Sequence, residues 1–527
     1  MNGTIARRGA WLIAVLAAAC GGEANESSAD GPDALGGAGM EAGAPEAEND
    51  ASGGANTLTP DGGPSPDPDP SPIETGGKPV GFTPVKPSAD SRVVYVSSST
   101  GNDSNDCLSE TAACKTITAG LSRMRNGMPD HLLLKRGDTW KDPSLNQNVP
   151  SGRSASEPAV IAAYGVGPRP KLLLGSQASF RGGQLRFLNV IGLELHAYKL
   201  DPTHPEFNGS GTANIVLLGA KENILFEDNK FDLIEIVIQL WEGGSPKNFT
   251  LRRNIFTGAY INTSSTSQSK RPSNIYVDGC DGLELEENVF DHGGWHPTVT
   301  GAGANMYNHN LYIQHSNNGE RVVLRRNIIT RASSHGAQLR AGGLAEDNFF
   351  GRNAVGIVIG YSDKPLKTGV KAHMLRNVAS EGHSMIKGKA PCSGNNLCTP
   401  ALWGIEFNLN GAADWVAKDN VATMRAPGDT LWTTMYSGLN RIGIKNLNDP
   451  KVDASNNISW KWSSDTDGTD KTYPAAGRTL GDYNASLGGS NSFEEFMEVV
   501  LNRPAQLWDE RYSAPAINAY IRQGFGM

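Results

Sequence analysis

Histidine is the residue type whose positions in this chain most strongly suggest chemistry, because a neutral imidazole can accept a proton near neutral pH. His309 and His335 hold equivalent places in two similar segments, NHNLYIQ and SHGAQLR. Such a pair can act as general bases on neighbouring strands, or it can consist of ordinary turn residues, and both interpretations stay open here. Seven of the ten histidines fall between residues 292 and 383; besides His373 they are His292, His296, His309, His315, His335 and His383.

A column of polar and aromatic side chains accompanies these histidines. Strand-like segments can be aligned by their inward apolar positions, and side chains alternate between the two faces of a strand. The other face then collects rings, amides and charges, which suits a groove for a sugar polymer but also an ordinary exposed sheet face. The predicted outward set is Gln239, Trp241, Tyr276, Asp278, Tyr312, Gln314, Gln338, Arg340, Lys387, Glu406 and Asn408. Within it, we predict that Trp241, Tyr276, Gln314, Gln338 and Asn408 bind substrate.

These segments belong to an imperfect repeat, in which an asparagine follows a short apolar run, as in ILFEDNKF, FTLRRNIF, LELEENVF and VVLRRNII. No long amphipathic helix separates the copies, so the pattern indicates a β solenoid rather than a βαβ sheet. Stacked coils bury each other's apolar faces, and an asparagine repeated at one turn can form a hydrogen-bonded ladder. The repeated asparagines are Asn229, Asn254, Asn288 and Asn327, with weaker copies at Asn348, Asn377, Asn420 and Asn456.

The region 92–525 resembles the right-handed parallel β-helix proteins of the pectate-lyase-like superfamily. Its opening, VVYVSSSTGNDSNDC followed by CKTITAGLSRM, is similar to the entry of many secreted β-helix proteins, in which a short helix caps the first coil. The end, from Phe493 to Phe525, has helical periodicity and is expected to cap the other end. The expected fold is therefore all-β, a right-handed parallel β-helix solenoid with short capping helices at both ends.

The resemblance implies cleavage or epimerisation of a uronic-acid polymer. Both reactions begin by removing the proton on C5, which needs a base and a cation that neutralises the sugar carboxylate. Arg340 is the first candidate for the cation, because its planar fork suits a carboxylate, and Lys387 is the second. Tyr312, His309 and His335 are the candidate bases.

We expect a lyase acting on uronate-containing polysaccharide, and three alternatives stay open: a non-catalytic glycan-binding or structural β-helix, a C5-epimerase and a glycoside hydrolase. A hydrolase needs two carboxyl groups across the groove, and Asp278 and Glu406 lie too many coils apart to serve easily. No cofactor is required by the pattern and no metal ligand is predicted. Calcium remains possible, although turn and surface roles explain Asp278, Asp281 and Asp291 equally well.

The N-terminal region predicts export and a tether. Residues 1–20 read as a signal peptide, and Leu16 to Gly21 (LAAACG) resemble a bacterial lipobox in which Cys20 would be lipidated, with an ordinary signal peptide as the alternative. Residues 21–88 are rich in Gly, Ala, Pro, Ser and acidic residues and predict a disordered linker. Residues 89–527 would form the β-helix domain. The expected location is the bacterial outer membrane or cell surface, with the membrane contacted only through the lipid.

Cysteines and charge agree with export. Two short-range pairs, Cys107 with Cys114 and Cys392 with Cys398, predict disulfides, and Cys280 is expected to be a buried apolar residue. The formal net charge is -8, and residues 21–88 carry twelve acidic side chains against two lysines, so the rest of the chain from residue 89 is neutral. A nucleic-acid partner is not expected. The expected partner is an extracellular polysaccharide, bound by a monomer.

Overall fold

The chain folds into stacked coils whose strands form three parallel sheets, of 12, 11 and 8 strands. The computed structural model describes residues 81–527 except 147, 176–178, 210–214, 263–270, 388–389, 394–395, 399–401, 430–440 and 504–507, and only the backbone of 390–393 and 396–398. The predicted lipidation site Cys20, the signal peptide and most of the linker lie outside the described residues, as do the side chains of Cys392 and Cys398. No helix in the described ranges is long and apolar enough to cross a membrane.

Sheet 1 contains, in spatial order, β1 (Val93–Val96), β2 (His131–Lys135), β4 (Ala159–Tyr164), β6 (Arg186–Ile191), β9 (Glu222–Glu227), β12 (Lys247–Arg252), β15 (Asp281–Glu286), β18 (Val322–Arg325), β21 (Gly343–Glu346), β24 (Lys371–Leu375), β29 (Asp414–Lys418) and β32 (Val452–Ser455). Sheet 2 contains β3 (Thr139–Lys141), β5 (Lys171–Leu173), β7 (Glu194–His196), β10 (Lys230–Asp232), β13 (Ile255–Thr257), β16 (Val289–Asp291), β19 (Ile328–Thr330), β22 (Phe349–Gly351), β25 (Val378–Gly382), β30 (Val421–Arg425) and β33 (Ile458–Trp460). Sheet 3 contains β8 (Ile215–Leu218), β11 (Ile236–Gln239), β14 (Ser273–Asp278), β17 (His309–Ile313), β20 (His335–Leu339), β23 (Val355–Ile359), β28 (Leu402–Phe407) and β31 (Arg441–Lys445). A separate antiparallel pair is formed by β26 (Ala390–Ser393) and β27 (Asn396–Cys398). This topology is an all-β parallel β-helix, as the sequence predicts.

The turn from sheet 1 to sheet 2 carries the predicted asparagine ladder. Asn288 is typical: its Oδ1 accepts hydrogen bonds from the backbone N and Nδ2 of Asn254, while its own Nδ2 donates to Leu251 O and to Asn327 Oδ1. The final member is Asn457, whose Oδ1 accepts from Asn420, so the predicted assignment to Asn456 is wrong by one residue. The residue before each ladder asparagine has a φ between 53 and 59°; these are Asp228, Arg253, Glu287, Arg326, Asp347, Arg376, Asp419 and Asn456.

The core lies between the three sheets, and three phenylalanines on successive strands of sheet 2 illustrate its packing. The rings of Phe231, Phe256 and Phe290 stack with centroids 4.7 Å apart at each step. All three are fully buried. Cys280 is also buried, as predicted, and is a free thiol.

The first coil is closed by helix α1 (Ile117–Leu121). A Cβ on Gly120 would lie 2.5 Å from Val96 Cγ2, so a larger residue could not pack against the coil here. A disulfide joins Cys107 and Cys114, with Cα atoms 5.0 Å apart, beside this helix. Contacts with the domain begin before residue 89, because Thr83 N donates to Glu227 Oε2 and Ser88 Oγ donates to Glu157 Oε1.

The C-terminal segment is helical, as the sequence predicts, and forms α2 (Leu480–Ser486), α3 (Phe493–Asn502) and α4 (Ala514–Gly524). They were expected to cap the end of the stack, but their buried side chains pack on the outer face of sheet 2. The reason is that the first residues of the sheet 2 strands form an apolar stripe on its outer face, and the helices bury this stripe from water. The stripe consists of Val289, Ile328, Phe349, Val378 and Val421. Short 3₁₀ turns occur at Glu110–Ala112, Gly319–Arg321 and Glu510–Tyr512.

Candidate functional site on sheet 3

The outer surface of sheet 3 over β14, β17, β20 and β23 carries most of the predicted site residues, and we call it the histidine face. Tyr276, Tyr312 and Gln338 are register neighbours on three successive strands. The residues that flank them, such as Leu311 and Ile313, are fully buried in the core. The predicted alternation between inward and outward positions is therefore correct along these strands.

His309 and His335 lie side by side at the start of their strands. Their rings are 4.8 Å apart between centroids, and the ring of His309 is 5.0 Å from that of Tyr312. Strict alternation would put His309 and Tyr312 on opposite faces, but Asn310 breaks it, since its side chain turns inward and accepts from Asn274 Nδ2. The two histidines and Tyr312 therefore share one surface.

Both histidines are neutral at ordinary pH. Burial, reinforced by His335 and Arg340, holds the pKa of His309 well below its usual value. Burial and the charge of Arg340 lower the pKa of His335 to about 3. Ser334 Oγ lies 2.8 Å from His335 Nδ1 and fixes the ring. When Nδ1 carries the proton in this contact, Nε2 presents a lone pair.

Arg340 supplies a positive charge beside the histidines. Its guanidinium lies 4.8 Å from the ring centroid of Tyr312, and its Nε and Nη1 donate to Gln338 Oε1 at 3.2 Å and Gln314 Oε1 at 3.4 Å. It forms no ion pair with any carboxylate of the described residues. The amides hold the guanidinium without neutralising it, so it can receive an anionic group.

Two buried polar atoms border this surface. Ser273 Oγ and His309 Nδ1 have no hydrogen-bond partner within the described part of the chain. Buried polar atoms normally form hydrogen bonds, so an atom without a partner indicates a special role. Both lie on adjacent strands, because Ser273 and His309 are register neighbours.

The remaining predicted residues are distributed unevenly. The ring of Tyr276 meets that of Tyr312 edge-on at 5.5 Å, and Asn408, half-buried, extends the outer face beyond Phe407. Trp241 is not on the strand face as predicted, because β11 ends at Gln239 and Trp241 forms a bridge with Gly244 in the following turn.

Lys387 is also misplaced by the sequence alignment. The segment Met385 to Gly388 copies the apolar pattern of a strand, but the strand that pairs with β23 is β28, with Ile357 opposite Ile405. Lys387 is exposed in the connection before β28. It makes no hydrogen bond or ion pair in the described ranges, and no contact with His309 or His335 occurs among them.

Several residues of this surface escaped sequence reasoning. Tyr361 follows the segment IVIG directly, and the guanidinium of Arg340 lies over its ring in a cation–π contact. Burial raises the pKa of Tyr361 to about 12. Further along the sheet, Lys445 Nζ lies 3.7 Å from the Trp403 ring centroid and 2.8 Å from Glu406 Oε1. Burial raises the pKa of Glu406 against the opposing charge of Lys445.

The acidic residues considered as calcium ligands are engaged separately. Asp278 accepts from Ser316, Asp281 pairs with Arg321 at 2.9 Å, and Asp291 pairs with Arg331 at 2.7 Å. Among the described residues, no group of three or more His, Cys, Asp or Glu side chains could hold a metal ion. These three aspartates therefore do not form one carboxylate cluster that could hold calcium.

Comparison with known proteins gives likenesses of fold. No protein-family profile matches the chain. No curated protein matches it either. Similar solved structures include a lacto-N-biosidase from Eubacterium ramulus, at 15% identity over 70% of this chain and 62% of that one, TM-score 0.24. They also include a rhamnogalacturonan lyase, at 13% identity over 69% of this chain and 87% of that one, TM-score 0.30. A third is an alginate lyase from Paenibacillus sp. str. FPU-7, at 14% identity over 69% of this chain and 99% of that one, TM-score 0.31. The chain thus spans less than two thirds of the lacto-N-biosidase, and likenesses at this level do not bear on activity.

Proposed function

We propose that this protein is a polysaccharide lyase that cleaves a uronate-containing polymer by β-elimination on the histidine face. The observation that carries the proposal is Arg340, a guanidinium without a carboxylate partner among the described residues, placed beside two neutral histidines. A uronate carboxylate would supply the missing anion. The neutral imidazoles would supply a base within the same surface.

In this mechanism the sugar carboxylate binds Arg340, and His335 Nε2 takes the proton from C5. The electron pair of the C5–H bond forms the C4–C5 double bond, and the bond from C4 to the glycosidic oxygen breaks. The charge of Arg340 lowers the pKa of His335. A bound carboxylate offsets that charge, so substrate binding raises the pKa of His335 and makes it a stronger base. Tyr312 is the second candidate base, but it is more deeply buried than His335.

Hydrolysis is less well supported. It requires two carboxyl groups about 5–10 Å apart. Asp278 and Glu406 stand on β14 and β28, four strands apart in sheet 3, which is about 19 Å at the usual strand spacing. The lyase is therefore favoured over the hydrolase, with glycan binding and C5 epimerisation as the other outcomes of the test.

The test is incubation with alginate, pectate, glucuronan and glycosaminoglycans while ultraviolet absorbance of the conjugated double bond is followed. We expect absorbance to rise with at least one polyuronate. A bound polymer without new absorbance would favour glycan binding, and inverted C5 stereochemistry without cleavage would favour an epimerase.

Export and lipid attachment at Cys20 are part of the same proposal, because the expected polymer lies outside the cell. Replacing Cys20 with Ser should move the protein from the membrane fraction to the soluble fraction. An unchanged distribution would contradict the lipid anchor and leave the lyase proposal intact.

A further inference from the structure

A buried carboxyl group stands at the end of the histidine row. Glu235, directly before β11, is 6% exposed, and its Oε1 accepts a hydrogen bond from the backbone N of Ser273 at 3.0 Å. Ser273 is the register neighbour of His309, which in turn is the neighbour of His335. The four residues therefore form one line from the residue before β11 across β14 and β17 to β20.

The middle of this line is suited to pass a proton. Ser273 Oγ and His309 Nδ1 are two of the buried polar atoms that have no hydrogen-bond partner in the described part of the chain. Neighbouring parallel strands are about 4.8 Å apart, which lets a hydroxyl and an imidazole on paired residues approach each other. A hydroxyl donates and accepts, and a neutral imidazole can accept at Nδ1 while it donates from Nε2.

We infer that Glu235 supplies the proton taken up by the leaving glycosidic oxygen, and that Ser273 and His309 relay it; this rests on the proposed lyase function. The Glu235 proton moves to Ser273 Oγ as the hydroxyl proton moves to His309 Nδ1. The Nε2 proton of His309 moves to the glycosidic oxygen as the C–O bond breaks. Glu235 ends as a carboxylate, His309 stays neutral, and His335 holds the C5 proton until that proton returns along the line.

Electrostatics supports these roles. Burial raises the pKa of Glu235 to about 8, against the opposing hydrogen bond from Ser273, so the carboxyl group holds a proton at neutral pH. His309, with its lowered pKa, does not trap the proton as an imidazolium.

The test is a kinetic pH profile of Glu235→Gln, which keeps the size of the side chain and an oxygen for Ser273 N. We expect kcat to fall about 10²-fold or more, which is the contribution typical of general acid catalysis, with KM nearly unchanged. The alkaline limb of the kcat profile should also disappear. Ser273→Ala should lower kcat similarly, and Glu222→Gln, on the outer face of sheet 1, should change neither constant.

An unchanged kcat and pH profile in Glu235→Gln would overturn the relay while leaving the lyase in place. If the wild-type protein cleaves no polyuronate, the proposed function fails, and infrared spectroscopy then decides whether the line exists. A protonated-carboxyl signal should be lost in Glu235→Gln and shifted in Ser273→Ala. No such signal, or one that Ser273→Ala does not shift, would overturn the line itself.

Discussion

The guanidinium carbon of Arg340 lies 3.9 Å from the ring centroid of Tyr361. Arg340 is thereby held against two tyrosine rings and two amides, and its charge is left for an anion. This arrangement links the strand geometry to the chemistry proposed for the face.

Substituting Arg340 should affect turnover more than binding. Removal of one preorganised charge-stabilising group typically costs about 10²–10³ in kcat, so Arg340→Ala should fall in that range. Arg340→Lys should recover only part of the rate, since an ammonium does not bind a carboxylate through two parallel hydrogen bonds. Steady-state kinetics on the cleaved polyuronate measures both. Arg326→Ala, which removes a guanidinium that pairs with Glu286 on sheet 1, is the control and should keep the wild-type rate.

Gly360→Ala should destabilise the fold and disturb the site. Gly360 has a φ of +92°, and a Cβ would lie 2.3 Å from Asn408 O and 2.9 Å from the Trp415 ring. The free energy of unfolding should fall by about 2 kcal/mol or more, from backbone strain and overpacking together. Gly369→Ala is the matched control, because its φ is +86° and no atom lies within 4 Å of its Cβ position. Equal losses in the two variants, measured by urea denaturation, would show that the close approach contributes nothing.

His335 should make stability depend on pH. Its pKa of about 3 in the folded protein is below the value of about 6.5 in an unfolded chain. Between these values the unfolded chain binds a proton that the folded protein does not. The stabilising contribution is therefore complete above about pH 6.5 and is lost as pH falls, by about 1.4 kcal/mol per unit for this residue. Denaturation of wild type and His335→Gln over this range should show a shallower slope for the variant. Parallel slopes would contradict the neutral, buried imidazole.

Asn288→Ala should lower the free energy of unfolding of the stacked coils. The substitution removes the two hydrogen bonds that its Nδ2 donates and leaves Asn254 N and Nδ2 without their acceptor. At about 1–3 kcal/mol for each buried polar group left unsatisfied, a loss of about 3 kcal/mol is expected. Thermal or urea unfolding measures it. Asn318→Ala, which removes an exposed contact with Asp281, should cost little. Comparable losses in both would argue against a stabilising ladder.

The sequence was most informative where a pattern repeats. The asparagine after each short apolar run predicted the coils, because a fully buried amide at a turn must be satisfied by its copies above and below. The same pattern could not distinguish Asn456 from Asn457, since two adjacent asparagines both fit it. Only the left-handed conformation of Asn456 assigns the ladder position to Asn457.

The site was predictable in part. His309 and His335 stand together because equivalent positions of successive coils are neighbours in a solenoid. Lys387 and Trp241 were misplaced because insertions between strands imitate strand patterns, and their lengths do not follow from local sequence. Glu235 gave no signal in the sequence, since the depth of its carboxyl group depends on the packing of neighbouring coils.

The central claim is that the histidine face carries out β-elimination, and mass spectrometry of the products tests it most directly. Elimination adds no water, so the new non-reducing-end fragments should be lighter by one water than the corresponding hydrolysis products and should contain a double bond. That is the result we predict for a polyuronate substrate, with at least about 10²-fold less of this product formed by Arg340→Ala in the same time. Fragments with the mass of hydrolysis products, or equal cleavage by Arg340→Ala, would contradict the account.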